Sequence, residues 1–315
     1  MIAPMPPSRF LAASCLDWIA GDPHGMPHPV RAMGRAISTG ERWLQRPDSP
    51  ANEMLRGAAL TGTIVAGSWV AAKLTVRAGG ALGEILLAWT ALATRSLLDE
   101  SAAVLDAVDR GDLVLARRRL AMIVGRDTES LDEPEILRAV IETVAEGLCD
   151  GVVAPVVYLA LGGVPLAFAY KAVNTLDSMI GHPEPPYRYF GRVAARLDDL
   201  ANFVPARLAA LSIVAAAFVM GRDSRRSWLV LRRDGHLHAS PNAGQTEAAM
   251  AGALGVQLGG MNYYAGKPSR KPVLGGEGRR ATPVDARAAL RIAVVASLAV
   301  TTVAWLWLRW RRHGA

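Results

Sequence analysis

GVVAPVVYLALGGVPLAFAY, residues 151–170, carries no charge across twenty positions. At 1.5 Å per residue a helix of that length reaches across the roughly 30 Å hydrocarbon layer of a bilayer. Four breakers interrupt it, namely Pro155, Gly162, Gly163 and Pro165. The spacing therefore predicts a kinked or discontinuous membrane helix, which survives only where protein or water satisfies the freed backbone groups. Four further apolar runs, 57–74, 78–98, 204–221 and 292–308, have spanning length. The fold expected is all-α: a polytopic integral membrane protein of about four to five transmembrane helices with helical cytosolic segments. Residues 1–315 are read as a single membrane-embedded domain.

Composition agrees, with 51% hydrophobic residues in 315. The formal charge of +7 does not point to nucleic acid, because the arginines are scattered through loops and no groove-reading motif is present. Basic loops beside apolar spans fit a membrane, with anionic lipid and anionic substrates as partners. Trp305, Trp307 and Trp310, followed by Arg311 and Arg312, form an interfacial belt at the last span. Two cysteines, Cys15 and Cys149, make neither a disulfide framework nor a zinc pattern. Residues 11–15 imitate a lipid-attachment box, but the apolar core before Cys15 is too short for a cleaved signal.

Polar motifs crowd the borders of these runs: GRDTESL (125–131), ETVAEGLCDGVVAP (142–155), NTLDSMIG (174–181) and ARLDDLANFVPAR (195–207). Ionisable groups at the edge of hydrocarbon are costly and so mark function by default. Asp132 caps a helix that begins near Pro134. Along it Arg138, Glu142, Glu146 and Asp150 recur every four residues, which places them on one face. A solvated ion-pair stripe is the plain alternative.

Elsewhere, GDPHGMPHPVRAMG (21–34) reads as an ordered turn, with Asp17, Asp22, His24, His28 and Arg31 as its polar residues. Glu84 is a lone carboxylate inside an apolar run, placed either for packing or for function. SPNAG (240–244) is either a helix cap or a backbone nest offering N–H groups to an anion. GMNYYAGKPS (260–269) imitates a P-loop but fails its glycine spacing and carries Pro268 where a hydroxyl belongs. His236 and His238 read as surface residues of a basic loop. Carboxylates hold Mg²⁺, and arginines with backbone N–H groups hold phosphates. The residues alone thus suit phosphoryl chemistry on an anionic substrate, and transport of an anionic metabolite fits nearly as well.

In order, GDPHGMPHPVRAMG, IVGRDTESL, ETVAEGLCDGVVAP, AVNTLDSMIG, ARLDDLANFVPARL and SPNAGQTEAAMAGALGVQLGG resemble the CobD/CbiB family of cobalamin biosynthesis, colinearly from about Asp17 to Gly275. The resemblance implies adenosylcobinamide-phosphate synthase activity in the bacterial inner membrane, with the active site facing the cytosol. The expected reaction joins the carboxylate of adenosylcobyric acid to the amine of (R)-1-amino-2-propanol phosphate, with ATP hydrolysis and Mg²⁺. Other late enzymes of the pathway are expected partners, and a membrane sensor on the same scaffold is the rival reading. Gly147 stands where an Asn is expected, and Gln245-Thr246 where an aromatic residue and proline are expected.

Under this resemblance Asp127, Glu142, Glu146 and Asp150 are the expected Mg²⁺ ligands or orienting groups. Arg126, Lys171, Arg196 and Arg207 are the expected phosphate clamps, with Ser240, Asn242 and Gly244 as the anion nest. Glu146 and Asp150 count also as catalytic, and Asp177 or Asp199 as the base that takes a proton from the amine.

Overall fold

The computed structural model describes residues 4–23, 25 and 28–313; His24 of the expected turn lies outside them. The fold is helical and polytopic. Three stretches are long and apolar enough to cross a membrane, Pro50–Asp109, Glu133–Ile180 and Pro283–His313, with a fourth if the bent pair Arg192–Ala201 and Phe203–Val219 is one span. The chain divides into two compact units, where the sequence reading treats it as one domain. The first comprises residues 1–93, 154–202 and 301–315, and the second 94–153 and 203–300.

In the first unit, α1 (Pro7–Ala20), α2 (Pro29–Leu44), α3 (Pro50–Ala91), α7 (Ala154–Ile180) and α8 (Arg192–Ala201) pack together. The expected boundary between two spans near residues 75–77 moves to Gly80, which leaves the helical region at φ 56°, ψ −139°. A methyl group on Gly83 would lie 3.2 Å from the Thr75 carbonyl oxygen. Residues eight apart in a straight helix are about 12 Å apart, so the chain turns back here. The limb beyond Gly80 ends at Ala91, and at 1.5 Å per residue it is too short to cross a bilayer alone. The expected span 78–98 is therefore broken, because Leu92 is extended before α4 begins at Thr94.

The break expected within 151–170 is present. Gly163 takes φ 68°, ψ −165° and divides α7 just before Pro165. Ile37, Leu60, Leu176, Ile180, Phe190 and Ala194 form a buried cluster in this unit. Two glycines allow it to close: a methyl on Gly57 would fall 1.7 Å from the Phe190 carbonyl oxygen, and one on Gly191 would fall 1.6 Å from that of Ile180.

The second unit holds α4 (Thr94–Asp109), α5 (Leu113–Leu120), α6 (Glu133–Gly147), a π-helical turn (Leu148–Val153), α9 (Phe203–Val219), α10 (Ser224–Asp234) and α11 (Ala243–Leu254). The last helix, α12 (Pro283–His313), begins in this unit and ends in the first. Asp132 caps α6 as expected, in a reciprocal capping box with Glu135 and with Pro134 in the first turn. A two-stranded antiparallel hairpin, β1 (Leu258–Tyr264) and β2 (Lys267–Leu274), occupies the stretch that imitates a P-loop. Ala265 and Gly266 form its turn with φ 49° and 75°, the two positive values that a type I′ hairpin needs.

Candidate functional site

The hairpin is fastened by GRDTESL. The Asp127 N–H donates to the Tyr263 carbonyl at 2.8 Å, and the Asp127 carboxylate accepts from Ala265 N (3.0 Å) and Gly266 N (2.7 Å). An alanine at positive φ is strained, and the carboxylate holds the turn that imposes it. Asp127, expected at a metal, thus has both oxygens engaged by the hairpin backbone.

Next to it lies a buried ionic cluster. Glu142 is 2% exposed and accepts from Arg126 Nη2, Arg138 Nη1 (3.2 Å) and Gly259 N (2.7 Å). Asn262 Oδ1 accepts from Arg126 Nη1 at 2.7 Å and from Arg138 Nη2 at 3.1 Å. Arg138 also donates to the carbonyls of Gly259 and Met261. Burial alone would push the Arg126 guanidinium down, but the Glu142 charge and hydrogen bond outweigh it and hold it above its ordinary value. A buried carboxylate satisfied in this way is the hub of an ion-pair network. Glu142 therefore has no oxygen turned toward a metal, and no three His, Cys, Asp or Glu side chains converge as a metal site among the described residues.

Three side chains around this hub keep buried polar atoms without a partner among the described residues: Glu247 Oε2, Asn262 Nδ2 and His238 Nε2. Ser240 N donates to His238 Nδ1 at 3.0 Å, shorter than the 3.4 Å approach of that nitrogen to the Ser240 carbonyl. Burial, with the nearby Lys271 charge, lowers the ring below its ordinary pKa. With Nδ1 accepting from Ser240 N, the ring proton is assigned to Nε2, which like Asn262 Nδ2 has no partner among the described residues. Glu247 is 1% exposed. Burial first, then the charges of Glu142 and Glu146, push its carboxyl well above the usual range. Asn262 Nδ2 and His238 Nε2 are thus buried N–H groups without a partner among the described residues, in the same surroundings as Glu247, whose carboxyl is raised and which the Arg126 charge opposes.

The expected stripe along α6 does not hold together. Arg138 and Glu142 pair at i,i+4, but Glu146 is exposed while Glu142 is buried, and Asp150 sits in the π-helical turn. A π turn inserts one residue and rotates the helix beyond it, so the four-residue period ends before Asp150. At the expected anion nest the Ser240 side chain meets the backbone N–H groups, while Asn242, the N-cap of α11, makes no side-chain cap bond. Ser240 Oγ accepts from Asn242 N (3.3 Å) and Ala243 N (3.2 Å) at the start of α11. Gly244 has no positive φ; it permits a close approach, since a methyl there would fall 2.5 Å from the Gly235 carbonyl oxygen. Gln245, one of the departures, ties α11 to that same carbonyl through Nε2 at 2.9 Å. Arg207 Nη1 donates to the Phe203 carbonyl (2.7 Å) and to Asn242 Oδ1 (3.3 Å).

The remaining expected residues belong to the first unit. NTLDSMIG and ARLDDLANF meet there: Asn174 Nδ2 donates to Asp198 Oδ1 at 3.4 Å, and Asn202 Nδ2 to Asp198 Oδ2 at 3.0 Å. Tyr170 donates to Asn202 Oδ1 at 2.9 Å and stacks on Tyr158, with ring centroids 4.8 Å apart. Asp198, not Asp199, is thus the acid at the centre of the network. Asp199 pairs at 3.3 Å with Arg196, whose side chain is 75% exposed. Lys171 and Asp177 lie on α7, half-buried. Glu84 pairs with Arg9 at 2.5 Å, the packing alternative, and Asp22 lies 3.2 Å from His28.

Sequence reading missed Glu247, Asn262 and His238 as site residues. A signal existed for Glu247, which is the lone charge in AGQTEAAMAGAL and so satisfies the argument applied to Glu84. Asn262 and His238 carried none, because their setting depends on the hairpin and on the loop before α11.

These features define a polytopic helical membrane protein whose buried ionic cluster is assembled between a helix and a β-hairpin. The family model described as CobD/Cbib protein matches residues 10–293, and the chain belongs to the CobD/CbiB family. It is 50% identical over 272 residues to the cobalamin biosynthesis protein CobD of Geobacter metallireducens, covering 84% of this chain and 85% of that protein. It is 43% identical over 299 residues to the protein of the same name from Yersinia enterocolitica, covering 92% and 94%. The Clostridium perfringens protein of that name is 41% identical over 275 residues, covering 85% and 87%. No solved structure matches the chain.

Proposed function

We propose that this protein acts in cobalamin biosynthesis as an ATP-dependent acid–amine ligase in the bacterial inner membrane. Its substrates in this reading are adenosylcobyric acid, (R)-1-amino-2-propanol phosphate and ATP, and its product is adenosylcobinamide phosphate. Family membership supports the pathway. The observation that carries the chemistry is the buried cluster in which His238 Nε2, Asn262 Nδ2 and Glu247 keep unused polar atoms beside Arg126.

Amide formation from a carboxylate needs a leaving group, which ATP supplies by phosphorylating the carboxylate oxygen with release of ADP. The amine then attacks the acyl carbon, phosphate departs, and the ammonium proton passes to a base. Charge builds on the acyl oxygens in both steps, and fixed donors in a water-poor place stabilise it best. Asn262 and His238 are assigned as those donors, with Arg126 as the neighbouring cation. Glu247 is assigned as the group that holds and exchanges the proton, since a base works best when its pKa approaches the working pH.

Mg²⁺ is usually bound through one or two carboxylates together with substrate phosphates rather than by an all-protein cage. Glu146 is exposed and Asp150 half-buried at the C-terminal end of α6 and the π turn after it, and these carboxylates would meet an ion that arrives with the nucleotide. Mg²⁺ would supply charge neutralisation for the triphosphate.

The test is mass spectrometry after incubating the purified protein with the three substrates. The expected result is a corrinoid heavier by the amine phosphate less one water, with ATP hydrolysis that requires both organic substrates. Folded protein that yields no such product overturns the reading, and uptake of an anionic substrate into vesicles without product points to a transporter.

A further inference from the structure

A cavity of about 390 Å³ lies between α9, α10 and α11, lined by Arg207, Trp228, Arg232, His236, Gln245 and Leu211 among others. The reaction assigned above uses none of these residues. The volume lies within the range of small-molecule sites. One wall is apolar, from Leu211 and the Trp228 indole, and the other is cationic.

The two arginines of that wall lack a paired carboxylate. Among the described residues no carboxylate forms an ion pair with Arg207 or Arg232, whereas His236 interacts with Asp234 and the adjacent Arg233 pairs with both Asp234 and Glu277. Asp234 is occupied a second time by Gly275 N at 2.8 Å. The two arginines that are neighbours in sequence therefore divide their roles, with Arg233 neutralised and Arg232 lining the cavity, its guanidinium 5.8 Å from the centroid of the Trp228 ring. Arg207 is fixed in place by two hydrogen bonds and lies 3.6 Å above the Phe203 ring. A guanidinium held this way has already lost much of the side-chain freedom that binding would otherwise cost.

We propose that Arg207, Arg232 and His236 form an anion site for the phosphate group of an organic phosphate, whose carbon portion rests against Trp228 and Leu211. Guanidinium forks match phosphate oxygens in pairs, and the indole gives a planar or aliphatic group a place to pack. Two sources carry this chemistry, the headgroup of an anionic phospholipid and a soluble nucleotide. The inference does not need the ligase reading.

Full-length protein in nanodiscs is the material for the test. One arm measures, by native mass spectrometry, retention of phosphatidylglycerol relative to phosphatidylcholine. The other measures equilibrium binding of radiolabelled ATP. Arg232 and His236 are exposed, so Arg232→Gln removes a guanidinium and His236→Gln an imidazole without removing core packing. The expected result is that each substitution weakens one of the two probes about tenfold or more, and Arg232→Lys restores part of the loss. Whichever probe responds identifies the source. Wild-type binding of both probes by the two glutamine variants overturns the proposal. Amide formation assayed on the same samples keeps the readings apart: product with unaltered probe binding removes this site alone, and weakened binding without product leaves this site standing while the ligase reading fails.

Discussion

Two polar networks in this molecule hold acids at different depths, Asp198 half-buried and Glu142 buried. Around Asp198 in the first unit two asparagine amides donate to the carboxylate, and Tyr170 closes the set through Asn202. Around Glu142 in the second unit the partners are two arginines and a backbone N–H. The first network joins α7 to the C-terminal end of α8. The second sits where α6 meets the hairpin, at the bulge between Leu258 and Gly260. Bonds to neutral donors contribute about 1 kcal/mol each, whereas a buried charge left without its partner costs about 3–5 kcal/mol. The ionic network should therefore be the less tolerant of the two.

The largest effect is expected from Glu142→Gln. The substitution leaves Arg126 and Arg138 buried without a counter-charge, at a cost of about 3–5 kcal/mol. Protease cleavage within the hairpin should appear at lower temperature, as should the thermal midpoint in detergent. Asp198 is half-buried, and Asp198→Asn keeps one acceptor oxygen, so its cost should be smaller, about 1 kcal/mol. Equal losses in the two variants would erase the distinction between the networks.

Glu247 gives the comparison a pH axis. Its carboxyl is raised in the folded protein, so the native state keeps a proton that the unfolded chain releases near the ordinary carboxylate value of about 4.3. Its contribution to stability is complete below that value and is lost as pH rises toward the folded pKa, with a slope of about 1.4 kcal/mol per pH unit inside the window. Chemical unfolding between pH 5 and the onset of that plateau should show stability falling in the wild type and a shallower fall in Glu247→Gln. The same variant should abolish amide formation while remaining folded. An unchanged slope would place Glu247 in the ionised state and remove it as the proton-holding group.

How far the sequence reveals these regions differs in the same way. The capped start of α6 and the break in α7 are legible, since Asp132, Pro134, Gly163 and Pro165 act through local backbone chemistry. The hairpin is not. Its turn is Ala265-Gly266 rather than Asn-Gly, and Pro268 and Pro272 within β2 argue against a strand unless it lies at a sheet edge, as β2 does in a two-stranded ribbon. Without the hairpin, Asn262 and Gly259 cannot be placed against Glu142, and the acid reads as open to a metal. The π-helical turn is equally hidden, and with it the loss of register between Glu146 and Asp150.

A smaller effect tests the clasp between motif and hairpin. Asp127→Ala removes the acceptor for two turn N–H groups that reach solvent, so it should cost about 1–2 kcal/mol. Ala265→Gly in the same background should recover part of this by relieving the positive φ. Hydrogen exchange at Ala265 and Gly266 is the measurement, and unchanged protection in Asp127→Ala would show that the turn holds itself.

The smallest change in stability is expected at Arg196. Its side chain is 75% exposed and its partner Asp199 lies at 3.3 Å, one turn along the helix. Exposed pairs of this kind contribute about 0–1 kcal/mol, so Arg196→Gln should shift the thermal midpoint by less than the Asp198→Asn change does. Stability alone cannot tell a phosphate clamp from a solvated side chain here, but kinetics can. A clamp that grips substrate phosphate in ground and transition state alike raises KM with little change in kcat. If Arg196→Gln raises KM for aminopropanol phosphate or ATP about tenfold, the first unit contributes to binding as well as to the membrane scaffold. Unchanged KM for both, with amide product still formed, would confine Arg196 and Asp199 to the solvated face of α8.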